Sequence, residues 1–204
     1  DRSPSRGLGD VYKRQIRDHA ILRLIYGYPI RPVELIRLIT RDLANDQGQV
    51  LAKRDRSMRV EIAFNGRERP FPILDQTLIE ALEAWLVFRI ENGWGVTSTG
   101  NIDLDAPFFM QSKNKGFLVR TTNTDDVIRH NADSINRVIR HRMKDNGLTG
   151  SVDSALRTWT LDRHRDGGDL RLIWAYRGDN DIESVKRVVR RDPVRLGALV
   201  EKIY

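Results

Sequence analysis

The chain contains no cysteine among its 204 residues. This excludes a disulfide framework and any thiolate metal site, and it makes a reducing compartment, the cytoplasm, the expected location. No apolar run approaches the roughly 18 residues that span a bilayer, so no membrane partner is expected. No secretory signal pattern, internal repeat, low-complexity tract, glycine-rich phosphate loop or cluster of metal-ligand side chains is present, and no metal, cofactor or small-molecule substrate is expected. Acidic residues are in the minority, 28 against 35 Lys and Arg, giving a net charge of +7. What is present is an ordinary globular composition, 40% hydrophobic with 7% aromatic residues, enough for one core of moderate size. A basic balance in which Arg outnumbers Lys points toward a polyanionic partner, because the guanidinium fork matches phosphate geometry.

Periodicity divides the chain into a leader, a series of helices and a small sheet. Residues 1–15, rich in Ser, Gly and Arg without an apolar period, do not match the rest of the chain and read as a non-native or disordered leader. A helix is expected from about Ile16, with Ala20, Ile21, Leu24 and Ile25 on one face, broken at Gly27 and Pro29. Pro32 opens a second helix carrying Val33, Leu35 and Ile36. Gln49–Lys53, Arg59–Phe64 and Arg69–Ile73 read as a three-stranded antiparallel meander with Asn65-Gly66 as a hairpin turn. Leu78–Ile90 reads as a core helix with Leu82, Trp85 and Leu86 on its stripe. A further helix is expected over Asp125–Asn146, with Ile128, Ala132, Ile135 and Ile139 inward and Arg129, Arg137, Arg140 and Lys144 outward. That basic face suits either solvent or a DNA backbone. Residues 153–189 read as three short helices, stopped at Gly167-Gly168 and Gly178, the third capped by Asp181. A last helix is expected from Val194 to Tyr204.

Several short motifs fall on this frame. YGYPIRPVEL places Arg31 at a helix start, beside unpaired backbone N–H groups that suit a phosphate. RERPFPI closes the small sheet, and APFFM lies beyond the core helix. Leu156-Arg157 sits on the first of the three late helices, and Asp169, Leu170, Ile173 and Gly178 form D-L-x-x-I with a later glycine. In this order the motifs resemble the catalytic domain of the tyrosine recombinase (phage integrase) family. The resemblance covers roughly residues 16–200. It implies an α+β, mainly helical domain over 16–204 with a small three-stranded antiparallel sheet, lacking the N-terminal core-binding domain that usually completes the DNA clamp.

The resemblance also implies a site. Arg31 and Arg157 match the two phosphate-clamping arginines. Ser154 stands where the family has its first box histidine, Asp179 where it has the later His or Trp, and Val188 where two independent anchors place the nucleophilic tyrosine. Phe64 or Asn65 occupies the place of the hairpin lysine. Lys53 and Tyr204 are the nearest substitutes for lysine and tyrosine, and His164 lies one turn beyond the Arg157 box. Serine cannot act as a general base at neutral pH, an aspartate has the wrong sign beside a phosphate, and valine cannot form a phosphotyrosyl bond. Arg67, Arg137, Arg140 and Lys144 are candidate DNA-backbone contacts. The expected partner is duplex DNA, with a second copy of the chain or a partner recombinase on it, at the bacterial nucleoid. Three readings stay open: a recombinase-family protein of DNA integration with impaired or lost strand cleavage, a non-catalytic accessory DNA-binding subunit of a mobile element, and a helical interaction domain whose arginines form only surface ion pairs.

Overall fold

A computed structural model describes residues 5–50, 60–64, 67–71, 75–112, 115–124, 127–148, 150–192 and 194. Helix α1 (Ser5–Gly27) buries Ala20, Ile21, Leu24 and Ile25 as one stripe. It runs straight through the boundary expected at residue 16. Once the amphipathic part has formed, adding a residue to a helix end costs far less than nucleating one, so helix extends without an apolar stripe to hold it. Helix α2 (Pro32–Arg37) starts on its proline and buries Val33, Leu35 and Ile36, and the short α3 (Thr40–Leu43) comes next.

Among the described residues the small sheet shows two of the three expected antiparallel strands. Strands β1 (Val60–Phe64) and β2 (Arg67–Phe71) form an antiparallel pair whose register matches Phe64 with Arg67. Of the expected strand Gln49–Lys53, Val50 makes an isolated bridge to Ala44, and residues 51–53 lie outside the described residues. Helix α4 (Gln76–Glu91) has its first turn closed by Asp75, whose carboxylate accepts from the Thr77 amide at 2.9 Å. Beyond it lie two more antiparallel pairs, β3 (Met110–Ser112) with β4 (Lys115–Gly116), and β5 (Arg120–Thr124) with β6 (Val127–Asn131).

The β5–β6 pair corrects the helix expected over Asp125–Asn146. Thr121, Thr122, Thr124, Val127 and Ile128 are β-branched, and they flank an Asp-Asp pair of turn type, so local preference for strand outweighs the helical spacing of Ile128 and Ala132. Arg129 and His130 therefore lie on β6, paired with Thr122 and Thr121, instead of on a helix face. Helix α5 starts only at Asp133 (Asp133–Asp145) and buries Ile135, Ile139 and Met143. Helices α6 (Val152–Arg165), α7 (Leu170–Arg177) and α8 (Ile182–Arg190) complete the described chain, close to the three expected helices. The Asp169 and Asp181 carboxylates cap α7 and α8, and Gly178 ends α7 at φ 61°, a left-handed conformation that glycine adopts without a Cβ penalty. The expected helix Val194–Tyr204 lies, apart from Val194, outside the described residues.

The main core gathers α1, α2, α4, α5 and the Phe108-Phe109 segment. Its centre is polar as well as apolar. Arg89 is fully buried and donates to the carbonyls of Pro107 and Phe108 at 2.9 and 2.8 Å and to the Thr40 hydroxyl at 2.5 Å, while Trp85 donates to the Phe108 carbonyl at 2.8 Å. Burial pulls the Arg89 guanidinium down to about 10, with Asp103 opposing. These bonds tie α4 to the irregular segment and to α3. A smaller cluster of Ile173, Val185 and Val189, with Trp159, Leu170 and Trp174, joins α7 and α8 to α6. The fold is mainly helical with small antiparallel pairs, as expected from the sequence. Among the described residues no helix is long and apolar enough to cross a membrane.

Candidate functional site

The start of α2, the face of α5, the start of α6, the end of α7 and the middle of α8 meet around a cleft of about 660 Å³. Arg31, Arg140, Arg157, Arg177 and Val188 all line it. Each position arises from local structure. Arg31 is the extended residue before α2, and Glu34, completely buried, accepts from its backbone N–H at 2.7 Å. This bond engages Oε2 of Glu34 and fixes the start of α2. The Arg31 guanidinium pairs with Asp179, 148 positions away.

Asp179 is 7% exposed and sits at the centre of a network. Arg177 Nε donates to Asp179 Oδ2 at 2.7 Å, and Arg177 Nη1 donates to the Thr160 hydroxyl on α6 at 2.5 Å. The Ser184 hydroxyl lies 2.6 Å from Asp179 Oδ2, and Trp174 Nε1 donates to the Asp179 carbonyl at 2.8 Å. Burial alone would push this carboxyl up. The Ser184 hydrogen bond, Arg177 and then Arg31 more than reverse that and hold it below its ordinary range. Asp179 therefore remains an anion, and its charge is directed at Arg31 and Arg177.

The other wall is different. Arg157 is exposed on α6 and has no ion-pair partner among the described residues. Arg140, exposed on α5, spends only its Nε on the Asn136 carbonyl at 3.3 Å. Val188 is half-buried on α8. Ser154 lies on the helix that carries Arg157 but does not line the cleft, and its Oγ accepts from the Ser151 N–H at 3.0 Å as part of the α6 cap. Arg137 and Lys144 are exposed on α5 without lining the cleft, and Arg67 is the first residue of β2. His164 does not line the cleft, and Lys53 and Tyr204 lie outside the described residues.

Among the described residues the lining holds no tyrosine, histidine or lysine, and no group of His, Cys, Asp or Glu is arranged to hold a metal ion. The arrangement can bind an anion through arginines. It offers no described group for nucleophilic attack by tyrosine or for proton transfer by histidine. A second cleft of about 680 Å³ lies between the end of α1, α6 and α7. Its Asp75, Asp162, Asp166 and Asp169 outnumber Arg163 and disfavour a phosphate, so charge rather than volume makes the first cleft the candidate site. Sequence reasoning missed Arg177 and Thr160. An arginine before a helix-ending glycine ordinarily reaches solvent, and nothing in its spacing announced the buried pairing.

The solved crystal structure of XerA recombinase is similar to this chain, with a TM-score of 0.64 and 18% identity over 92% of this chain and 56% of that one. The chain thus spans little more than half of that neighbour's length. No family model matches the chain, and no curated protein does. At this identity the likeness bears on the fold, which agrees with that expected from the motifs.

Proposed function

We propose that the chain is a DNA-binding domain of tyrosine-recombinase type, serving DNA integration or recombination, with strand cleavage impaired or lost. The observation that carries this reading is the convergence of Arg31 before α2, Arg157 on α6 and Val188 on α8 on one cleft. These are the positions that the sequence resemblance assigns to the two clamp arginines and to the tyrosine. Arginines around an open cleft suit a phosphodiester, which they neutralise and orient by forked hydrogen bonds. Valine in place of tyrosine removes the group that would attack phosphorus and carry the covalent intermediate. Positive charge on α5, from Arg137, Arg140 and Lys144, extends the surface available to a DNA backbone. The structural neighbour is itself a recombinase, in agreement with this assignment.

A second reading, an accessory subunit that binds DNA beside an active recombinase, draws support from the pairing of Arg31 with Asp179, since a clamp arginine held by a carboxylate suits retention of binding over retention of chemistry. Both readings are tested by a nicked suicide duplex that traps covalent intermediates. We expect a salt-sensitive mobility shift and no adduct that survives denaturing electrophoresis. An adduct abolished by Tyr204→Phe would overturn loss of cleavage. Restoration of an active recombinase's turnover by added protein would favour the accessory reading.

A further inference from the structure

Four arginines and two aspartates line the cleft, a formal excess of two positive charges. Asp179, immediately behind Arg31 and Arg177, lowers that excess to one. We infer that Asp179 is an internal counter-anion that occupies the phosphate-binding face of Arg31, so that an incoming phosphodiester is held by Arg157 and Arg140, and Arg31 joins only when Asp179 is neutralised or displaced. This inference rests on the DNA-binding reading and refines it by dividing the arginines of one cleft into a held set and an available set.

Three observations carry it. The Arg31 guanidinium pairs with Asp179 by direct contact, and the carboxylate is held in place from other directions by Arg177 and Ser184. Asp179 is fixed by its surroundings: its carbonyl accepts from Trp174, and it comes directly after the left-handed Gly178, so its position is set by the turn between α7 and α8. A carboxylate and a phosphate oxygen compete for the same guanidinium donors, and a buried carboxylate already in place pays no entropy of association. On the opposite wall, Arg157 has no ion-pair partner among the described residues, and Arg140 keeps its terminal nitrogens free of ion pairs there. The Asp179 carboxylate is held by two guanidinium groups and a hydroxyl, and both arginines, Arg31 and Arg177, line the cleft.

The test is equilibrium binding of a fluorescent duplex by the whole chain. In the native background we expect Arg157→Ala to weaken binding about tenfold and Arg31→Ala no more than about twofold. Asp179→Asn should tighten binding by about fivefold to tenfold and make its salt dependence steeper, and Arg31→Ala added to Asp179→Asn should abolish that gain. Circular dichroism reports whether Asp179→Asn folds. If it does not, the comparison of Arg31→Ala with Arg157→Ala decides, and equal losses would overturn the inference. Native binding with a folded Asp179→Asn that shows no gain would overturn the inference and leave the DNA reading intact. No binding by either protein at low salt would overturn the DNA reading and the inference together.

Discussion

The two walls of the cleft use the same residue type for opposite ends. On one wall Arg31 and Arg177 converge on Asp179, and Arg177 continues to Thr160, so these guanidinium groups tie α2, α6 and the α7–α8 turn together. On the other wall Arg157 and Arg140 are exposed, with no ion-pair partner among the described residues. Both walls contribute positive charge to a count made on the sequence, yet only one leaves its charge available. A buried arginine held by several acceptors is a structural strut, whereas an exposed one beside a concave surface is a ligand-binding group. Arg89, buried among carbonyls and the Thr40 hydroxyl, is the extreme case of the first kind.

Substitutions on each wall should therefore separate by readout. The largest effect belongs to the held wall. Arg177→Met removes one partner of a buried ion pair and a donor to Thr160, and we expect a loss of about 3 kcal/mol in urea unfolding; a loss below about 0.5 kcal/mol, the size of an ordinary surface change, would show that the network does not hold the helices together. Arg157→Ala should lower duplex affinity about tenfold while leaving unfolding within about 0.5 kcal/mol, and a variant that loses both equally would erase the distinction between the walls. Ser184→Ala removes a hydrogen bond to an ionised carboxylate, with an expected cost of about 1–2 kcal/mol measured in the same urea titration. Lys144→Ala, on the outer face of α5 and not lining the cleft, should change affinity by about twofold or less.

Acidity provides a further comparison. Asp179 is held below its ordinary value, so its folded form binds protons less readily than its unfolded form. Its contribution is complete above the usual carboxylate value of about 3.9 and is lost as pH falls through the lower folded value. The unfolding free energy of the native chain should drop over that window, and Asp179→Asn should lack this share of the drop. An identical acid profile for both proteins would contradict the ion-paired assignment.

The helical frame was legible because amphipathic spacing and caps agree along most of it. The stripe of Ala20, Ile21, Leu24 and Ile25, the core helix around Trp85, and the cap Asp181 all appear where the pattern places them. The β5–β6 pair was not legible, since Ile128 and Ala132 fit a helical period while threonines and an Asp-Asp turn favour a hairpin, and spacing alone does not weigh the two. The candidate site was legible as a set of positions, because Arg31, Arg157 and Val188 meet in one cleft. Its electrostatics were not. Read as a sequence, Asp179 is a charge of the wrong sign facing a phosphate; in the fold it faces Arg31 across 148 positions and Arg177 across two. Long-range pairing of that kind depends on how α7 and α8 pack on α6, which no local pattern encodes. Ser154 illustrates the same limit at short range, since its hydroxyl serves the Ser151 amide instead of the cleft.

The most direct measurement is the salt dependence of duplex affinity for the native chain and for Arg157→Ala. A protein that neutralises phosphates releases counterions, so log K should fall linearly with log salt, and loss of one phosphate contact should flatten the slope by about 0.9. We expect a steep negative slope for the native chain and a slope shallower by about that amount for Arg157→Ala. A native affinity that does not depend on salt, or an Arg157→Ala slope identical to the native one, would contradict the assignment of this cleft to DNA.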